Sequence, residues 1–281
     1  MASYIVRPIS RAELEIPLAW ARQEGWNPGK SDADAFYAID PRGFYMGFLD
    51  GEPIASLSAV SYDEDFGFLG LYIVKKEFRG KGYGYELWKQ TLKHLPTQNI
   101  GLDGVVEEQQ TYKKSGFAFA YRTIRYEGRG LKEKLADPLI VALSDVPKLS
   151  LFAYDQSIFL HSRKSFLTNW ISIPKSLAIG YWDGSRLSGY GVIRMCQVGY
   201  KIGPLFADTD LVANLLFRKM LTFAGPDSPV YIDVPEVNEK AIALAESHGQ
   251  KPIFETARMY TKTFPPTPLF KVFGNTTLEV G

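Results

Sequence analysis

Two short landmarks recur in this chain at a single spacing. Gly47-Phe48-Leu49-Asp50-Gly51 returns as Gly180-Tyr181-Trp182-Asp183-Gly184, and Ser115-Gly116-Phe117 returns as His248-Gly249-Gln250, each 133 residues later. An internal period restricts architecture before any local signal does, because both copies must follow one supersecondary plan. The length, 281 residues, suits about two domains of ~100–200 residues. The chain therefore reads as a tandem duplication of one α/β unit, over residues 1–128 and 136–281. A polar, charged stretch over 127–137, followed by Pro138, is the expected linker.

Within the first copy the elements alternate. Residues 12–25 have amphipathic helical spacing closed by Gly25, and 32–39 read as a second short helix with Ser31 or Asp32 as N-cap. Asp50-Gly51 between apolar runs predicts a hairpin. Residues 66–74 (FGFLGLYIV) are apolar throughout, the pattern of a strand buried on both faces. A helix stopped by Pro96 follows, then a strand over 99–106, a helix over 108–115 ended by Gly116, and a strand over 117–127. The expected class is α/β, with helices on a mixed sheet of α+β character.

Composition narrows the function. Lys and Arg number 32 against 31 Asp and Glu, which argues against nucleic-acid binding through bulk positive charge. No apolar run reaches the ~18 residues of a membrane helix, and the N-terminal residues lack a secretory pattern. Cys196 is the single cysteine, so a reducing, cytoplasmic setting is expected. His94, His161 and His248 lack metal-ligand spacing, so no metal cofactor built on His and Cys is expected.

The chemistry-bearing motif follows the apolar strand. Arg79-Gly80-Lys81-Gly82-Tyr83-Gly84 opens a helix. Three glycines let several backbone N–H groups face one anion, helped by the helix dipole and by the charges of Arg79 and Lys81. It is not a P-loop, since GxxxxGK[ST] is absent, nor does it match the dinucleotide fingerprint. An ordinary tight strand-to-helix turn is the plainer reading of such glycines alone.

Taken with Tyr112-Lys113-Lys114-Ser115-Gly116-Phe117, residues 44–127 resemble the GNAT N-acetyltransferases. The glycine segment matches their Q/R-x-x-G-x-G/A pyrophosphate cradle, and the tyrosine segment their Y-x-x-x-G-F. The whole chain resembles bacterial tandem GNAT proteins, through Glu24-Gly25-Trp26-Asn27-Pro28-Gly29 and Thr256-Ala257-Arg258-Met259-Tyr260. The resemblance implies acetyl-CoA as co-substrate, lying along backbone groups of Ile73 and Val74 with its pyrophosphate on Arg79 to Gly84. It implies direct attack by a primary amine in a ternary complex; the acceptor is read as a small molecule, with a protein N-terminus or lysine as the alternative, and a longer acyl-CoA is the alternative donor. It implies Tyr112 as the acid that protonates the departing thiolate; the alternative is a tyrosine packed under the helix. Trp26 and Asn27 fall where this fold lines the acceptor side, or they form a turn anchored by a buried tryptophan. Glu64, Asp65, Glu107 and Glu108 are the candidate bases, each also readable as a solvated loop charge.

At the 133 offset, Gly80, Gly82 and Gly84 fall on Ala213, Leu215 and Phe217, and Tyr112 falls on Ala245. The second copy is therefore expected to be degenerate, with its strand-to-helix transition at Gly203-Pro204-Leu205. A CoA-binding sensor without turnover and a non-catalytic scaffold are the rival functions. A monomer and a homodimer are both compatible, with the segment from Pro268 onward pairing either within the chain or across a dimer.

Overall fold

The computed structural model describes residues 3–96, 98–133 and 135–281. The first half runs β1 (Tyr4–Pro8), α1 (Glu15–Gln23), α2 (Asp32–Tyr37), β2 (Phe44–Leu49), β3 (Glu52–Ser61), β4 (Phe66–Val74), α3 (Tyr83–Thr91), β5 (Asn99–Val105), α4 (Gln109–Lys114) and β6 (Ala118–Arg129). The second runs β7 (Ile140–Ala142), α5 (Lys148–Phe159), α6 (Lys164–Trp170), β8 (Ser176–Trp182), β9 (Leu187–Met195), β10 (Tyr200–Ala207), α7 (Asp210–Ala224), β11 (Pro229–Pro235), α8 (Glu239–Ser247), β12 (Lys251–Tyr260) and β13 (Val272–Gly274). The repeat is visible here: α–α–hairpin–strand–helix–strand–helix–strand occurs twice. Asp50 and Gly51 have φ of 48° and 87°, the positive values that a two-residue hairpin turn demands. Strand β1 lies at the sheet edge, beside β2, and its short, half-exposed sequence has no strong period. Residue 134 of the expected linker lies outside the described residues, and residues 127–129 belong to β6.

The halves do not form two sheets. One sheet runs β1-β2-β3-β4-β5-β12-β6-β11-β10-β9-β8-β7, with β13 beside β10. The last long strand of each half is inserted next to the other half: β12 pairs with β5 as well as β6, and β6 pairs with β11. Each half thus buries an edge that it cannot cover alone. Buried ion pairs sit on these same seams. Arg258 Nε bonds Asp103 Oδ1 at 2.9 Å across β12 and β5, and Arg125 Nε bonds Asp233 Oδ1 at 2.6 Å across β6 and β11. Arg194 on β9 reaches Asp32 on α2 at 2.8 Å, with both side chains fully buried and the guanidinium 4.3 Å from the Trp170 ring centroid.

Such a pair is costly to break from one side, because the partner is left charged and buried. Replacing Arg194 by Met should lower unfolding stability by about 3–5 kcal/mol, read from denaturant titration. Replacing Asp32 by Asn in the same chain should recover part of that loss.

Candidate functional site

Strands β4 and β5 pair in parallel only from Phe66↔Asn99 to Leu69↔Leu102. Beyond these residues they part, although both continue. The cause is local. Leu71 has φ of 50°, the register against β3 shifts between Ser56 and Ser58, and Ser56 Oγ donates to the Leu71 carbonyl at 2.7 Å. A bulge of this kind bends a strand and ends its pairing on one side. The parted strands enclose a cavity of about 530 Å³, the size of a small-molecule site. The backbone of β4 past the bulge faces this gap, as a sheet edge does for an added strand.

Ile73 and Val74 line the gap, and Arg79, Gly80, Gly82 and Gly84 line its mouth. Gly80 and Gly82 have φ of 73° and 85°, and a Cβ on either would meet nothing within 4 Å. Their role is conformational, with open space ahead of them. Gly84 is different: a Cβ there would fall 2.7 Å from the Tyr72 hydroxyl and 2.9 Å from a Val74 methyl, so it permits close helix-on-strand packing. Helix α3 has Gly82 at its N-cap and no side-chain cap, which leaves its first amide groups free to face an anion. Arg79 is partly committed, donating to the Val74 carbonyl at 2.8 Å and to Glu24 Oε1 at 2.6 Å. Lys81 and Tyr83 are not on the cavity wall. The Lys81 ammonium sits 5.5 Å from the Phe78 ring centroid, and Tyr83 packs on Tyr4 at 4.8 Å. Only their backbone groups are placed for the mouth.

Across the gap, Tyr112 on α4 is buried at the cavity wall, its ring 5.8 Å from Trp88 and 6.4 Å from Phe117. Burial, then the neighbouring Tyr72 and Glu108, push its hydroxyl above the ordinary tyrosine range. Burial pushes Tyr72 up to about 12. Tyr112 therefore keeps its proton at neutral pH and is available as a donor. Trp26 lines the cavity, and its carbonyl accepts from Arg125 Nη1 at 2.8 Å and Lys201 Nζ at 3.2 Å. Asn27, expected beside it on the acceptor side, is not on the wall. Its side chain is bonded to the Val198 backbone, with Nδ2 donating at 2.9 Å and Oδ1 accepting at 3.1 Å. Its φ of 51° and these bonds make it a tie between the halves. Of the candidate bases, Glu108 lines the cavity, whereas Glu64 and Asp65 are exposed loop charges and Glu107 is an exposed charge on the short 3-10 turn over Val106–Glu108. Sequence reasoning missed Glu24, Asp103, Arg125 and Glu279, which also line it. Asp103 stands on β5 itself, where the pairing partner Arg258 comes from the other half, while Arg125 lies on the exchanged strand β6 and Glu279 in the segment after β13, neither of which has a local sequence signal.

Among the described residues, the corresponding strands of the second half leave no such opening. Strands β10 and β11 pair in parallel over Tyr200–Ile202 with Val230–Ile232, then part as β4 and β5 do. Here β13 fills the gap, pairing with Leu205 and Phe206, while the Asn275 N–H donates to the Asp233 carbonyl at 2.8 Å. The cradle loop is missing as well. Residues 75–82 connect strand to helix in the first half, but only 208–209 do so in the second. Thr209 Oγ1 accepts from the Val212 N–H at 3.3 Å, capping α7. The expected transition at Gly203-Pro204-Leu205 is corrected: these residues lie inside β10, and Ala213, Leu215 and Phe217 lie inside α7. The 133 offset holds on both sides of this segment, from Val74 to Ala207 and from Thr91 to Ala224, so no residues are lost: those that match the first half's loop extend α7 at its N-terminal end.

Comparison with known proteins agrees with this division. Family models described as "Acetyltransferase (GNAT) family" and "Acetyltransferase (GNAT) domain" match residues 13–117 and 151–274. The chain is 31% identical over 275 residues to holothin acyltransferase of Pseudoalteromonas sp. (strain SANK 73390), covering 98% of this chain and 94% of that one. It is 26% identical over 170 residues to the uncharacterized N-acetyltransferase YitH of Bacillus subtilis, covering 59% and 60%. A crystal structure from Pyrococcus horikoshii shares the fold with TM-score 0.83 at 24% identity, covering 99% of this chain and 96% of that one.

Because the Gly82 Cβ direction is open, a Gly82→Trp chain should fold. A non-glycine residue at this φ costs about 1–2 kcal/mol. The indole would occupy the mouth, so calorimetric affinity for an acyl-CoA should fall at least ~100-fold, with a Tm loss of only a few degrees.

Proposed function

The chain belongs to the GNAT acyltransferase family, and on that premise we propose that it moves an acetyl group from acetyl-CoA to the primary amine of a small molecule. The observation that carries this reading is the gap between β4 and β5 leading to the uncapped N-terminus of α3. The pantetheine arm would lie along Ile73 and Val74 as an added strand. The diphosphate would sit on the backbone N–H groups of Gly80 to Gly84, with Arg79 supplying charge at the mouth. Backbone N–H groups of β4 past the bulge, held in a site shielded from water, would stabilise the oxyanion as it forms.

The amine attacks the thioester carbonyl directly, the C–S bond breaks, and Tyr112 gives its proton to the sulfur. Trp26 and Phe254 form an apolar wall for the acceptor. The relative from Pseudoalteromonas is an acyltransferase named for holothin; acyl transfer is carried over to this chain, and holothin as acceptor is not. One cofactor per chain follows from β13 filling the second gap. Among the described residues no helix is long and apolar enough to cross a membrane and no group of three or more His, Cys, Asp and Glu is placed to hold a metal.

Titration with acetyl-CoA should give one site per chain; two sites would count against this reading. Tyr112→Phe should lower kcat by about 100-fold or more with little change in KM for acetyl-CoA. An unchanged kcat would assign Tyr112 to packing.

A further inference from the structure

Four carboxylates face the cavity, and they differ in what holds them. Glu24 bonds Arg79 at 2.6 Å. Asp103 is gripped by both Arg258 Nε and Nη2, at 2.9 Å and 2.5 Å. Glu108 is exposed at the mouth. Glu279 is 3% exposed, and no described residue gives its side chain a hydrogen bond or ion pair. Its oxygens are not among the fully buried atoms without a partner, so the carboxylate is open to what enters the cavity, and its unused lone pairs accept a donor there.

Three cations act on Glu279 from neighbouring strands: Arg125 on β6, Arg194 on β9 and Lys201 on β10. Arg125 and Arg194 are already neutralised by Asp233 and Asp32. Lys201 donates to the Trp26 carbonyl, and burial, with Arg125 adding repulsion, pulls its ammonium below the ordinary lysine range. None of the three makes a contact pair with Glu279.

The backbone around Glu279 is anchored without its carboxylate. Ser58 Oγ donates to the Glu279 carbonyl at 3.4 Å, and Thr277 Oγ1 accepts the N–H groups of Glu279 and Val280 at 3.2 Å and 3.0 Å. The Tyr62 hydroxyl donates to the Val280 carbonyl. Gly70 makes the approach possible, because a Cβ there would lie 1.9 Å from the Glu279 carbonyl oxygen. Gly70 precedes Leu71, the bulge at which β4 and β5 part. The segment thus brings Glu279 to the point where the gap opens, in a cavity that Trp26, Phe254 and Leu278 also line.

We propose that this floor is the acceptor subsite, that it takes a small primary alkylammonium carried on an apolar body, and that Glu279 binds the ammonium and removes its proton. The proposal rests on the acyl-transfer reading above and adds the acceptor class and the base. One ammonium proton passes to the Glu279 carboxylate and on to water. The freed nitrogen lone pair forms the C–N bond, and the C–S bond breaks. The proton that the nitrogen loses as the amide forms balances the one that Tyr112 gives to sulfur.

The test uses full-length protein saturated with CoA, titrated at pH 7 with benzylamine, and in parallel with benzyl alcohol as a neutral isostere. The ammonium should bind at least tenfold more tightly than the alcohol. Glu279→Gln should abolish that preference while leaving CoA affinity unchanged. Equal binding of the two probes by the parent, or a preference retained in the variant, overturns the proposal. Failure to bind CoA would instead strike the acyl-transfer reading. Acetyl transfer to benzylamine supplies the second readout. The Glu279→Gln deficit should be about 100-fold at pH 7 and should shrink as pH rises toward the ~10 of an alkylammonium, where free amine no longer needs a base. A deficit constant with pH overturns the base role.

Discussion

The exchange of β6 and β12 between the halves is the constraint on which the rest of the structure depends. A five-stranded half would leave the edge of β5 or β11 open, and each edge is closed by a strand from the other copy. The buried pairs Arg258–Asp103 and Arg125–Asp233 lie on these joints. They are poor sources of net stability, since desolvation offsets much of their attraction. Their value is in register: a slip of one residue would turn each buried charge toward the opposite face. The same two joints carry Asp103, Arg125, Phe254 and Thr256 to the cavity, so fold closure and site assembly are one event.

Much of the local structure was legible because its cause is local. Asp50-Gly51 demands its turn, Gly116 has the φ of 91° expected of a helix stop, and FGFLGLYIV makes a strand buried over most of its length. The glycine segment was legible as a mouth, though not in detail. Gly84 serves packing, and Lys81 and Tyr83 turn their side chains elsewhere. What stayed hidden was non-local. Nothing in KPIFETARMY says that it will lie between β5 and β6, since both neighbours offer the same antiparallel partner groups. Asn27 reads as a polar loop residue near a cleft, and only the position of Val198, 171 residues away, makes it a tie.

The repeat also shows how a period misleads when taken literally. The offset of 133 holds at the hairpin and at the helix stop, the two ends of the unit. Between them, the residues of the second copy that correspond to the glycine segment are helical, inside α7. The two facts have separate physical causes. Hairpins and stops close the sheet and cannot be altered without opening it, whereas the cradle contributes little to packing: Gly80 and Gly82 face open space. A loop that stabilises nothing in the absence of a ligand is the part that a duplicated copy can lose.

Losing the cradle does not by itself leave a folded second copy, because parted strands expose backbone groups that need partners. Strand β13 supplies them in the β10–β11 gap. The chain then continues past Asn275, which bonds to β11, toward the opening of the first gap at Gly70. A single segment therefore fills one gap and furnishes part of the other. This arrangement explains why the floor of the first cavity is polar and buried together: its side chains come from a segment held by backbone contacts on both halves. A loop bearing the same carboxylate would have to bury its own unpaired backbone groups to reach that depth. The second copy thus contributes to the first cavity through the segment that continues from the strand filling its own gap.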